Sequence, residues 1–125
     1  METEVIGGEI GKASALKMCF AAQSKGSTAL LCAVMGAAEK LGVGEELKRQ
    51  WERYGPSHAD LDRIERSAPK AWRYVPEMRE IAATLESAGM PREFHDGAAK
   101  LYEMLREFKD TTPKLEEVIR RLAGA

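Results

Sequence analysis

The sequence predicts an all-α fold, a multi-helix bundle around one long N-terminal helix rich in small residues. Apolar residues recur at three- and four-residue spacing through most of the chain. Glycines and prolines stand where such patterns stop and start. Only Glu2–Ile6, with its β-branched Val5 and Ile6, reads as a short extended segment. The 125 residues suffice for one domain with a core. No internal repeat, low-complexity tract or long linker divides them, so residues 1–125 are read as a single helical domain.

Gly7, Gly8 and Gly11 punctuate the start, and a helix is expected from about Ala13 to Lys40, with Gly42 as its left-handed cap. Leu16, Met18, Phe20, Leu30, Leu31, Val34 and Met35 fall all round it, which predicts burial on most sides. Gly26 and Gly36 each cost about 1 kcal/mol against alanine in an exposed helix, and close packing or a ligand would compensate. A second helix is expected over Gly44–Tyr54, with Leu47, Trp51 and Tyr54 inward, broken by Gly55-Pro56. Ser57 is placed to cap a third, His58–Ser67, with Leu61 and Ile64 inward. Pro69 fits the first turn of a fourth helix running to Ala88, stopped by Gly89, and kinked or divided near Val75 by Pro76. Pro91 opens a fifth, to about Lys109, with Phe94, Ala98, Leu101, Leu105 and Phe108 at helical spacing. Thr112-Pro113 introduces the last, Lys114–Ala123, with Leu115, Val118, Ile119 and Leu122 on one face.

Charge and composition exclude several classes. Net charge is −1, so no general basic field draws in nucleic acid or anionic lipid. The longest uncharged run, Gly26–Ala38, is too short and too rich in Ala and Gly to span a bilayer. The N-terminus lacks the basic start and apolar run of a signal peptide. Cys19 and Cys32 fall on one helix about 20 Å apart, too far for a disulfide, and two buried thiols in a reducing cytoplasm are expected. No Cys/His spacing suggests a metal.

Lys17 is the sharpest candidate for chemistry. A lysine among residues that read as core asks for a reason, and proton transfer is one. Ser14, Lys17, Ala21 and Ser24 fall along one side of the helix, polar enough for a small ligand. The plainer alternative, which residue chemistry alone favours, has Lys17 reaching the surface with its stem over apolar neighbours. Lys25 is a similar case, better read as a snorkelling or interface lysine. Trp72, Arg73, Tyr74 and Arg79 cluster around Pro76 and could hold a carboxylate or phosphate; core packing by Trp72 and a solvated arginine face is the plainer reading. His58 is isolated, His95 reads as a capping or surface histidine, and Trp51 as core. No dinucleotide fingerprint, phosphate loop or Ser/His/Asp set occurs.

Gly8-x-x-Gly11-x-Ala13-x-x-x-Lys17 resembles the Gly-x-x-Gly-x-Gly-x-x-x-Lys-x-x-x-Asn signature of the β-hydroxyacid dehydrogenases, at the start of their helical C-terminal domain. Residues 13–22, Lys25-Gly26, residues 71–78 and residues 88–91 are similar to one branch, the C-terminal domain of 6-phosphogluconate-dehydrogenase-like NAD-binding oxidoreductases. The resemblance implies Lys17 as general acid/base, with Ser14, Ser24 or Lys25 as candidate substrate-binding residues in place of the signature's asparagine; Arg73, from the cluster around Pro76, is a further substrate-binding candidate. It implies Gly8 and Gly11 at the turn from the last strand of a nucleotide domain. NAD or NADP would serve the intact enzyme, none being bound by this chain alone. The partners implied are a missing N-terminal nucleotide-binding domain, a small-molecule substrate and a second copy in a homodimer, in the cytoplasm. Two positions depart from the signature: Ala13 replaces the third glycine and Ala21 the asparagine that helps orient the substrate. A different expectation is a free-standing helical dimerisation module without catalysis.

Overall fold

The computed structural model describes residues 8–124, so the expected extended segment Glu2–Ile6 lies outside the described residues. The order is α1 (Gly8–Leu41), α2 (Gly44–Trp51), α3 (His58–Ser67), α4 (Ala71–Ser87), α5 (Glu93–Glu103) and α6 (Leu115–Leu122), with 3-10 turns at Ala68–Lys70 and Arg106–Phe108. Among the described residues there is no strand, and the fold is the all-α bundle that the periodicity predicts.

Helix α1 spans 34 residues, about 50 Å. It begins at Gly8, not Ala13, so Gly8 and Gly11 are helical and do not form a turn ahead of the helix. The backbone cost of a glycine, about 1 kcal/mol, is too small to interrupt a run of Ala, Lys and Leu. Its far end is as expected: Gly42 adopts φ +77°, and the Val43 N–H donates to the Ala38 carbonyl at 2.9 Å. Gly89 ends α4 in the same way, with φ +86° and a 2.8 Å bond from the Met90 N–H to the Leu85 carbonyl.

Ser57 caps α3 as its sequence predicts. The Asp60 N–H donates to Ser57 Oγ at 3.1 Å, and the Ser57 N–H donates back to the Asp60 carboxylate at 2.9 Å. That backbone donor holds the Asp60 carboxyl below its ordinary value. Helix α2 stops at Trp51, which leaves Tyr54 86% exposed rather than inward. Pro69 lies in the 3-10 turn before α4. Pro76 does not divide α4, which runs on to Ser87. One ladder bond is lost near the helix start, while Met78, Ile81 and Ala82 bury the turns that follow. Helix α6 starts at Leu115, one residue later than expected; the Glu65 carboxylate accepts from the Leu115 N–H at 2.7 Å and ties α3 to it.

The largest difference lies in α5. It begins at Glu93 rather than Pro91, and its inward face is His95, Ala98, Ala99 and Tyr102. Phe94, expected inward, is 75% exposed, and His95, expected at the surface, is buried. Helices α4 and α5 form an antiparallel hairpin in which Arg79 meets Asp96 and, further along, the Tyr74 ring meets the edge of Tyr102 with centroids 5.2 Å apart.

Helix α1 runs past all the others, and two of its glycines, Gly26 and Gly36, mark close approaches. A Cβ at Gly26 would stand 2.8 Å from His95 Nε2, and one at Gly36 would stand 2.8 Å from Leu122 Cβ. Close packing therefore accounts for both. His95 Nε2 donates to the Ala22 carbonyl at 2.9 Å, which fixes the ring against α1. Gly26→Ala is expected to destabilise the fold by about 2 kcal/mol, overpacking and the displaced His95 bond outweighing the gain in helix propensity. Gly97→Ala is the control. Nothing lies within 4 Å of its added Cβ, and it should stabilise by about 0.5–1 kcal/mol. Urea unfolding midpoints measure both.

Burial of α1 is one-sided, against expectation. Ala22, Ala29, Cys32, Met35 and Ala38 face the core, whereas Leu16, Phe20, Leu30 and Leu41 are each at least two-thirds exposed. The two thiols also differ: Cys19 is exposed and Cys32 buried. Burial pushes the Cys32 thiol up to about 12. At pH 8 a maleimide reagent should therefore modify Cys19 quickly in the native chain and Cys32 only after denaturation, as peptide mass mapping would read out.

Candidate functional site

The side of α1 that carries Lys17 meets α4 across an open groove of about 910 Å³. Ser14, Lys17, Ala21, Ser24 and Lys25 line it from α1, and Glu77, Glu80 and Ile81 from α4; Leu16, Met18 and Phe20 complete its apolar wall. Helical spacing on α1 thus brings four of the five substrate-site candidates to one place. The fifth, Arg73, is exposed on α4 and does not line the groove.

The two lysines stand in different settings. Lys25 is part-buried, and its Nζ donates to both carboxylate oxygens of Glu77 at 2.8 and 2.9 Å. The same ammonium sits 4.6 Å from the centroid of the Tyr74 ring. Tyr102 lies beneath, its hydroxyl donating to the Lys25 carbonyl at 2.6 Å. Burial pushes that hydroxyl well above the ordinary tyrosine range, so it stays a donor. Lys25 is thereby fixed at both its backbone and its side chain. Lys17 is exposed, contrary to the expectation of a lysine among core residues, and no carboxylate among the described residues pairs with it.

The basic cluster around Pro76 disperses. Trp72 is half-buried beneath the Lys109 ammonium at 4.4 Å. Arg79 pairs with Asp96 at 3.2 Å, and Arg92 binds Asp96 and Glu86 at 2.8 Å each. Those guanidiniums, Arg92 first, hold the Asp96 carboxyl below its usual range. They brace the α4–α5 turn.

The groove's acidic wall was not legible beforehand. Glu77 lies 52 residues from Lys25, and no local spacing joins them. The buried His95 was missed as well; its Nδ1 has no hydrogen-bond partner. A core histidine is visible only once Gly26 is seen to make room for it.

Gly8 and Gly11 are helical, and no glycine-rich strand-to-helix loop occurs among the described residues. No group of three or more His, Cys, Asp or Glu residues among them could hold a metal ion. Among the described residues no helix is long and apolar enough to cross a membrane.

The model of a domain-of-unknown-function family, DUF1932, matches residues 38–105, more than half of the chain. This domain is found in the C-terminal region of NAD(P)-binding 6-phosphogluconate-dehydrogenase-like proteins. The match runs from the last turn of α1 through α5, with Lys17 on its N-terminal side. No curated protein matches the chain.

Proposed function

We propose, since the chain belongs to the DUF1932 family, that it is the substrate-binding and dimerisation domain of an NAD(P)-dependent oxidoreductase. The substrate is a small hydroxy acid or a related CH–OH compound, and Lys17 is the general acid/base. The observation that carries this reading is the convergence of Ser14, Lys17, Ser24 and Lys25 on one groove. Lys17 Nζ takes the hydroxyl proton as the carbonyl forms and returns it in the reverse direction. Ser14 and Ser24 are the hydroxyls available to orient the substrate oxygen. The nicotinamide cofactor belongs to a separate nucleotide-binding domain, and docking of that domain over the groove would exclude water from Lys17.

Dimerisation is proposed from the outer side of α1. Leu16, Phe20, Gln23, Ser27, Leu30, Val34, Ala37 and Leu41 follow one another at alternating spacings of four and three residues, and all are exposed. That is the seam of a helix packed against a second helix. A free-standing interaction module would also use this seam, but it leaves the lysine groove without a role.

The test is Lys17→Ala in an oxidoreductase that contains this domain together with its nucleotide-binding domain. Turnover should fall at least a hundredfold with folding retained. Unchanged turnover would remove Lys17 from the reaction.

A further inference from the structure

The charges in the groove bear on what it can accept. Two lysines and two glutamates line it, so its formal charge balances. The balance is not uniform. Both carboxylate oxygens of Glu77 are taken by Lys25, and the same ammonium lies against the Tyr74 ring. Lys25 therefore has little left to offer an incoming anion. Glu80 remains on the same wall as an exposed carboxylate. No arginine lines the groove, so the planar fork that grips a carboxylate or phosphate at two points is absent from it. Apart from the hydroxyls of Ser14 and Ser24, the rest of the lining is apolar: Leu16, Met18, Phe20, Ala21 and Ile81.

A substrate acid would need a cation beyond the one that handles its hydroxyl proton. Lys17 can serve one of those purposes, and the second lysine is held by Glu77. We propose that the Lys25–Glu77 pair is a charge selector, reserving the groove for an uncharged secondary alcohol or ketone with a small branched apolar body. This rests on the reading of the groove as the substrate site and narrows the substrate class given there. Glu77 acts through Lys25 and is a positioning residue. By satisfying the ammonium it rejects anions, and specificity here comes from withholding a contact.

Two probes separate the possibilities: 3-methyl-2-butanol and 2-hydroxy-3-methylbutanoate, identical except that a methyl in the first is a carboxylate in the second. Each is titrated into the full 125-residue chain, and backbone amide shifts of groove residues such as Met18, Ala21 and Ile81 give the affinities. The neutral alcohol should bind about tenfold more tightly than the anion. Glu77→Gln frees the Lys25 ammonium and should reverse the preference in favour of the anion. Lys25→Met leaves the Glu77 carboxylate unpaired and should push the preference further toward the alcohol. Equal or tighter binding of the anion to the unaltered chain overturns the charge selector even if Glu77→Gln does not fold. So does an unchanged preference in both variants. Shifts from neither probe in the unaltered chain overturn the substrate-site reading itself, a result distinct from binding without discrimination.

Discussion

Tyr102→Ala is expected to destabilise the fold by about 4–5 kcal/mol. Tyr102 is fully buried, stacks edge-on with Tyr74 at 5.2 Å, and donates to the Lys25 carbonyl at 2.6 Å. Truncation leaves a cavity between α1, α4 and α5 and removes the second donor from the Lys25 carbonyl. Losing a large aromatic in a core costs about 3–5 kcal/mol, and the lost hydrogen bond adds about 1. Against a total stability of about 5–15 kcal/mol that is a large share, and thermal unfolding should drop by roughly 15–20 °C. Tyr102→Phe keeps the ring and removes the donor, so about 1–2 kcal/mol should be lost. Differential scanning calorimetry on both variants separates packing from hydrogen bonding. A loss from Tyr102→Ala no greater than that from Tyr102→Phe would contradict this account.

The same residue sets a pH dependence. Burial raises the Tyr102 hydroxyl, as it raises the Cys32 thiol to about 12. A raised folded value means that stability is fully present below the unfolded value and is lost as pH rises. The unfolded thiol ionises near 9 and the unfolded phenol near 10. Stability should therefore hold up to about pH 9 and decline above it, with Cys32→Ala removing the earlier part of the decline.

Lys17→Ala is expected to cost the oxidoreductase a factor of about 10²–10⁴ in turnover, the usual worth of one positioned acid/base. Lys17 is exposed on α1 and supports no core packing, so the variant should unfold at the midpoint of the parent. That separation gives the experiment its force, because loss of rate cannot then be assigned to loss of structure. Added primary amines small enough to enter the groove should restore part of the rate. Lys17→Arg should not restore it, because a guanidinium does not give up its proton. Steady-state turnover with and without methylamine measures each expectation. Lost turnover with no amine rescue would point to binding rather than proton transfer.

Helix starts and stops were legible where a local rule decides them. Ser57 and Asp60 cap α3, and Gly42 and Gly89 adopt positive φ. The α1 side bearing Ser14, Lys17, Ala21 and Ser24 was legible too, because helical spacing alone places it. What was not legible depends on partners far along the chain. The apolar count of α1 suggested burial on most sides, yet only one side meets the bundle. Phe94 and His95 exchanged places because residue type suggested the wrong one, and the His95 ring lies inside only because Gly26 leaves room for it. Glu77 was invisible as the partner of Lys25 until α4 was laid beside α1.

Within this domain, helix α1 comes first in the sequence and is the last to be locked. Tyr102 and His95 reach back 77 and 73 residues to α1, and Leu122 closes on Gly36. While the rest of the domain is being made, α1 therefore has both sides uncovered: the one that will meet the bundle and the one bearing Leu16, Phe20 and Leu30. Long-range closure of this kind slows folding, and exposed apolar surface during the delay invites association with other chains. Nascent chains that end before α5 are thus the stage at which this domain most needs a chaperone.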